Sequence, residues 1–297
     1  MGSGMLKGKK ALITGGDRGL GYEIAAEFLR QGADICICSR NADAIKEAAV
    51  SLGHERQDKE QRILYKKADV SVTKDLDELY KYIFEEFSGD FDTVVNNAGI
   101  QGPIGSFEDN EWQEILNVIN VNLLGTMYSM KCAIGMFKSM HADGTPVRDR
   151  SIINISGGGA TGARPYFTGY AVAKTGVVRA TETLAKENEA YGIRINAIAP
   201  GAMNTRMLED ILNAGENAGD EYRRSLRQKE NGGASMENAA GLVAFLASEK
   251  AAGVTGRLIS AVWDDWKELD KHAGDLNGSD LYTLRRIIPR DRGLDWE

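Results

Sequence analysis

The sequence predicts an α/β fold: a doubly wound, parallel, seven-stranded sheet with helices on both faces, followed by a C-terminal tail extension. Three observations predict it. Seven short runs are near-continuous in Val, Ile, Leu, Ala and Cys rather than alternating, which suits strands buried on both faces. Longer stretches of helical period separate them. Strand–helix alternation with short connections gives right-handed βαβ units, which wind into a parallel sheet.

The first strand is expected over 10–14, and a helix follows with Leu20, Ile24, Ala25, Phe28 and Leu29 on one face. Between them stands Thr14-Gly15-Gly16-Asp17-Arg18-Gly19-Leu20-Gly21. Gly15 permits a tight turn, Gly19 lets the backbone approach a phosphate, and Gly21 lets helix and strand pack closely. The free N–H groups of the helix start then face a pyrophosphate. Further strands are expected over 33–39, 62–69, 91–96, 151–156, 193–199 and 257–262. Leu76, Leu79, Tyr80, Ile83 and Phe87 mark another helix face, and 111–140 and 168–190 read as long helices. Residues 208–234 are polar and glycine-bearing and read as a mobile flap with short helices. After Val262 the βα pattern stops. Residues 5–262 therefore form the expected single domain, and 263–297 an extension that docks on it or on a neighbouring subunit.

The 297 residues are 42% hydrophobic and 27% charged, which excludes a disordered chain and a small disulfide scaffold. Lys plus Arg number 36 against 43 Asp plus Glu, a net charge of −7, so neither nucleic acid nor an anionic membrane is an expected partner. No apolar stretch is long enough to span a bilayer. Met1–Gly4, ahead of Met5, has no secretory profile and is set aside as an added leader. Cys36, Cys38 and Cys132 make no disulfide framework. With only His54, His141 and His272 beside them, they suggest no metal site. A cytoplasmic location is the expectation.

Tyr170-Ala-Val-Ala-Lys174 puts a phenol and an amine one helical turn apart. A nearby ammonium lowers a phenol's pKa from its usual value of about 10, so the pair suits proton transfer to or from a carbonyl oxygen. Thr14–Gly21, Asn96-Asn97-Ala98-Gly99, Tyr170 with Lys174, and Pro200-Gly201 stand in the order and spacing of the short-chain dehydrogenase/reductase family, which the chain resembles over roughly 6–260. The resemblance implies a Rossmann-like fold, a nicotinamide cofactor and a homotetramer or homodimer. It implies Tyr170 as general acid/base and Lys174 as the group that binds the nicotinamide ribose and tunes Tyr170. Asn122 would hold a relay water. Asp69, in Ala68-Asp69-Val70, would contact the adenine, and Asn97, Ala98 and Gly99 would support the adenosine side.

One position departs from the family. The serine expected thirteen residues before the tyrosine is Gly157, within Ser156-Gly157-Gly158-Gly159. Neighbouring strand residues face opposite ways, so Ser156 replaces the missing hydroxyl only if the glycine run forms a bulge. Otherwise a backbone N–H, a water or a substrate group takes its place, or turnover is weak. Loss of one such donor costs about 10²–10³ in rate.

The second strand ends Ser39-Arg40-Asn41 with no carboxylate at its tip, and Arg18 lies in the glycine loop. Arginines suit a 2′-phosphate and a carboxylate suits a ribose diol, so NADP(H) is favoured over NAD(H). Substrate candidates are Arg164, Tyr166 and Arg206, with Trp263 beside Asp264, Asp265 and Trp266. Aromatic faces and carboxylates suit a sugar or acidic sugar; tail anchoring is the other use for the tryptophans. The expected activity is an NADP(H)-dependent interconversion of a ketone or aldehyde and an alcohol on a small molecule. The alternative is a catalytically weak or inactive cofactor-binding regulator on the same fold.

Overall fold

A computed structural model describes residues 4–142 and 149–296. Seven parallel strands form one sheet: β1 (Lys10–Thr14), β2 (Asp34–Ser39), β3 (Ile63–Lys67), β4 (Thr93–Asn96), β5 (Arg150–Ile155), β6 (Ile193–Ala199) and β7 (Leu258–Ser260). Their order is β3-β2-β1-β4-β5-β6-β7. The chain reverses direction across the sheet at the β1–β4 boundary, where Ile13 faces Val95 on one side and Ile37 on the other. A crevice opens beyond the strand ends at such a switch point.

Alternation along buried strands feeds two cores. Ala11, Ile13, Ile35 and Ile37 face α1 (Gly19–Arg30), α2 (Ala42–Leu52) and α9 (Met236–Ala247). Leu12, Cys36, Cys38, Val94 and Ile152 face α3 (Thr73–Glu86) and α5 (Thr126–Ala142). The two cysteines thus share a face as small buried side chains.

Strand ends differ from expectation for local reasons. Ala33 falls outside β2 because its N–H closes the preceding helix on the Phe28 carbonyl. β7 stops at Ser260 because Asp264 accepts the Ser260 N–H, while the Ser260 hydroxyl oxygen accepts from Val262 and Trp263. The long helix expected over 111–140 is broken: α4 (Trp112–Val118) passes through a wider π-helical stretch, Ile119–Gly125, before α5. After α6 (Thr168–Glu187) and β6, the flap region folds into α7 (Arg206–Ala214) and α8 (Asp220–Asn231).

The tail lies on its own chain. Trp266 packs against Phe245 of α9 with ring centroids 5.9 Å apart, and Leu269 and Leu276 are buried with it. The Arg257 guanidinium donates to the carbonyls of Leu276, Ser279 and Leu281. Leu258 N–H donates to the Tyr282 carbonyl, so tail backbone covers the outer edge of β7.

Candidate active site

The glycine loop is held by side chains behind it. The Thr14 hydroxyl oxygen accepts from the N–H groups of Asn97 and Ala98, both at 3.0 Å. The Asn97 amide donates to the carbonyls of Thr14 and Gly15. A Cβ on Gly21 would lie 2.0 Å from the Gly15 carbonyl oxygen, and one on Gly15 would lie 3.0 Å from the Ala98 Cα. Gly15 and Gly19 both adopt positive φ, which costs glycine least. Among the described residues no side chain caps α1, and its first turn carries no acid, so the helix start offers bare N–H groups to an anion. The cradle fits a pyrophosphate.

Above it runs a cavity of about 1410 Å³. Asp17, Arg18 and Leu20 line it at the loop. Arg40, Asp69 and Val70 line the strand tips, and Pro200 and Gly201 the far rim. Arg18 and Arg40 are exposed and make no ion pair among the described residues. The strand-tip position beside Arg40 is Ser39, whose hydroxyl engages Asn41. One oxygen of Asp69 is occupied by the N–H and hydroxyl of Ser71. Gly201 has φ +92, and a Cβ there would meet Val262 at 2.5 Å.

Tyr170 and Lys174 stand on α6 at the other end of the cavity, both buried. The Lys174 ammonium donates to the Ile155 carbonyl at 2.8 Å and lies 5.7 Å from the Tyr170 ring centroid. Burial pushes its pKa down to about 8. Burial also raises the Tyr170 phenol above its ordinary value, and the opposing cation is Arg164 rather than Lys174. The expected lowering of the phenol by the lysine gives way to desolvation, because the lysine is itself enclosed and turned onto a carbonyl.

Asn122 sits on the π-helical stretch, fully buried. Its amide oxygen accepts from Ile100 N–H and its amide nitrogen donates to Ile100 C=O, both at 2.8 Å. A Cβ on Gly99 would lie 3.2 Å from this oxygen and 3.6 Å from the Lys174 nitrogen, so Gly99, Asn122 and Lys174 meet at one point. Irregular helix of this kind commonly re-aims side chains at functional sites.

The Cβ direction of Gly157, not a Ser156 hydroxyl, points at the phenol: a Cβ there would lie 2.5 Å from the Tyr170 oxygen. Ser156 lines the cavity, but its hydroxyl is buried with no partner among the described residues. No hydrogen bond joins it to Tyr170 among the described residues. Gln101, absent from the sequence reading, likewise lines the cavity with a buried, unpartnered amide nitrogen. Its sequence signal is its place two residues after Asn97-Ala98-Gly99.

Among the substrate candidates, Arg164 stacks on Phe167 at 4.0 Å and pairs with Glu221 of α8 at 3.1 Å. Tyr166 (φ +71) is half exposed, and a Cβ on Gly219 would touch its ring. Arg206 opens α7 on the cavity wall, and Trp263 is 87% exposed at the rim. Two supports for a sugar ligand are otherwise engaged: Asp264 holds the Ser260 N–H and Trp266 anchors the tail. No three His, Cys, Asp or Glu side chains cluster as metal ligands among the described residues.

Residues 15–261 match the family model described as "Enoyl-(Acyl carrier protein) reductase". The chain is 32% identical over 262 residues to a 3-oxoacyl-[acyl-carrier-protein] reductase of Chlamydia trachomatis, covering 87% of this chain and 97% of the relative. It is 35% identical over 255 residues to 3beta-hydroxysteroid dehydrogenase 1 of Eggerthella lenta, covering 84% and 91%. Among solved structures, levodione reductase superposes with a TM-score of 0.75 at 28% identity over 86% and 96% of the two chains. An actinorhodin polyketide ketoreductase with NADPH gives 0.75 at 25% identity over 85% and 95%.

Proposed function

The chain belongs to the short-chain dehydrogenase/reductase family, an oxidoreductase family acting on carbonyl and alcohol groups, and from that premise we propose that it is an NADP(H)-dependent reductase or dehydrogenase of a small-molecule ketone or aldehyde. The single observation that carries the reading is the enclosed Tyr170–Lys174 pair at one end of a cavity whose other end is the glycine cradle.

When bound, the nicotinamide supplies the hydride. The residues of the chain do the rest. Gly15, Gly19 and the start of α1 would hold the pyrophosphate, Asp69 and Val70 would border the adenine, and Arg18 with Arg40 would grip a 2′-phosphate. Lys174, fixed on the Ile155 carbonyl, would meet the nicotinamide ribose. Tyr170 is held as the neutral phenol by burial and so stands ready to donate a proton to a carbonyl oxygen at neutral pH. Enclosure excludes water from the transfer.

Arg164, Arg206 and Trp263 border the substrate end, whereas Tyr166 lies outside the cavity lining, and the two arginines favour a carbonyl compound bearing an acidic group. A sugar acid fits that chemistry, and so does a simple oxo acid. The exposed apolar Trp112, Leu124 and Met127 around the α4–α5 junction support assembly as a homodimer or homotetramer. Among the described residues no helix is long and apolar enough to cross a membrane, which fits a cytoplasmic enzyme. The second reading, a cofactor-binding regulator with weak turnover, is favoured by one observation, Gly157 in place of a hydroxyl donor.

The test follows NADPH oxidation against keto-sugar acids, simple oxo acids, 3-oxoacyl thioesters and oxosteroids. Tyr170→Phe is expected to abolish turnover while NADPH still binds. Undiminished turnover in that variant removes Tyr170 as the acid. Tight NADPH binding with no turnover by the unaltered protein favours the regulator.

A further inference from the structure

We propose that Arg164 is a positioning residue for proton transfer at Tyr170 and that Glu221 governs how strongly its charge is felt there; the inference rests on reading Tyr170 as the proton-carrying group.

Position 157 carries no hydroxyl to polarise the phenol, and the phenol oxygen fills the space a side chain would need. The nearest resolved influence of opposite kind is a cation. The Arg164 guanidinium carbon lies 5.3 Å from the Tyr170 ring centroid and 4.0 Å from that of Phe167. Its side chain is 15% exposed, so its field is little screened. The glycine run seats it. Gly159 has φ +92, and a Cβ there would strike Ala171 at 2.8 Å and Arg164 at 3.3 Å. One glycine run therefore both drops the family hydroxyl, at Gly157, and admits the arginine, at Gly159.

Glu221 meets the guanidinium from α8 at 3.1 Å, and its second oxygen faces Arg224 at 3.7 Å. Other charged groups on the elements packed against Tyr170 include Lys174 on its own helix, Arg206, Glu209 and Asp210 on α7, Glu216 on the turn between α7 and α8, and Asp220 and Arg223 on α8. Among these charges it is Arg164 that opposes the upward push of burial on the phenol. The pair therefore acts as an adjustable cation. An acidic substrate group that draws Glu221's partner toward itself changes the field on the phenol as it binds.

The experiment labels the full chain with ¹³C at tyrosine Cζ, assigns Tyr170 by the loss of its signal in Tyr170→Phe, and follows the titration midpoint. Arg164→Gln is expected to raise the midpoint by about one pH unit, and Glu221→Gln to lower it. Arg164→Lys stays near the parent value, and Arg164→Met repeats the rise should the Gln variant fail to fold. Both neutralising variants break the same ion pair. A role limited to holding α8 closed hydrates the phenol in both and lowers both midpoints; that result, or no movement in either, overturns the proposal. Opposite shifts in a protein that turns over no carbonyl retain this assignment and remove the enzymatic reading.

Discussion

Gly157 shows how much one missing side chain decides. On the sequence alone, Gly157→Ser either restores the family hydroxyl or disturbs a geometry that needs the glycine. A Cβ there would sit 2.5 Å from the Tyr170 oxygen, so the phenol must move to admit it. Gly157→Ala and Gly157→Ser are both expected to push the phenol out of line and cut kcat by about 10²-fold, with melting temperature little changed. Steady-state rates beside a thermal melt check this. Arg40 is proposed as a phosphate ligand because the strand tip beside it carries no carboxylate. Arg40→Ala is expected to weaken NADPH binding about 10- to 100-fold and leave NADH binding nearly unchanged, read by fluorescence titration. Gln101 and Glu221 were not legible. Nothing in their local sequence says that one ends buried and unpartnered at the cavity wall or that the other meets Arg164 from 57 residues away.

Among the elements, the strands were legible because burial on both faces leaves a continuous apolar run. The break between α4 and α5 was not. One extra residue per turn over Ile119–Gly125 barely disturbs apolar periodicity, yet it aims Asn122 at both polar groups of Ile100. β2 carries a consequence for pH. Cys38 is wholly buried and its thiol is pushed from 9.0 up to about 12; Cys36 is raised as well. Above pH 9 the unfolded chain loses these protons while the folded chain keeps them. Stability from Cys38 is thus complete below pH 9 and is lost as pH rises toward 12. Cys38→Ala is expected to lower stability at pH 7 and to flatten the alkaline decline by about 1.4 kcal/mol per pH unit across that window. Urea unfolding at stepped pH measures it.

Across the whole molecule, the first part of the tail, through Leu276, packs into the core, while the residues after it lie on the surface. Trp266 closes over Phe245 and Gly241, and Arg257 gathers three tail carbonyls. Trp266→Ala is expected to cost roughly 3–5 kcal/mol, seen in urea unfolding. A small change there would mean that the tail docks loosely on α9. The sequence by itself determined the layers and the seven strands, because periodicity is a local property of the chain, and its glycine turns and Tyr170–Lys174 spacing nominated the candidate site. Only the tertiary structure decided which tryptophan anchors and which stays free, that Arg164 rather than Lys174 opposes burial at Tyr170, and that Gly157 is filled by the phenol. Those outcomes depend on how side chains meet in three dimensions, where packing and desolvation act and local pattern does not reach.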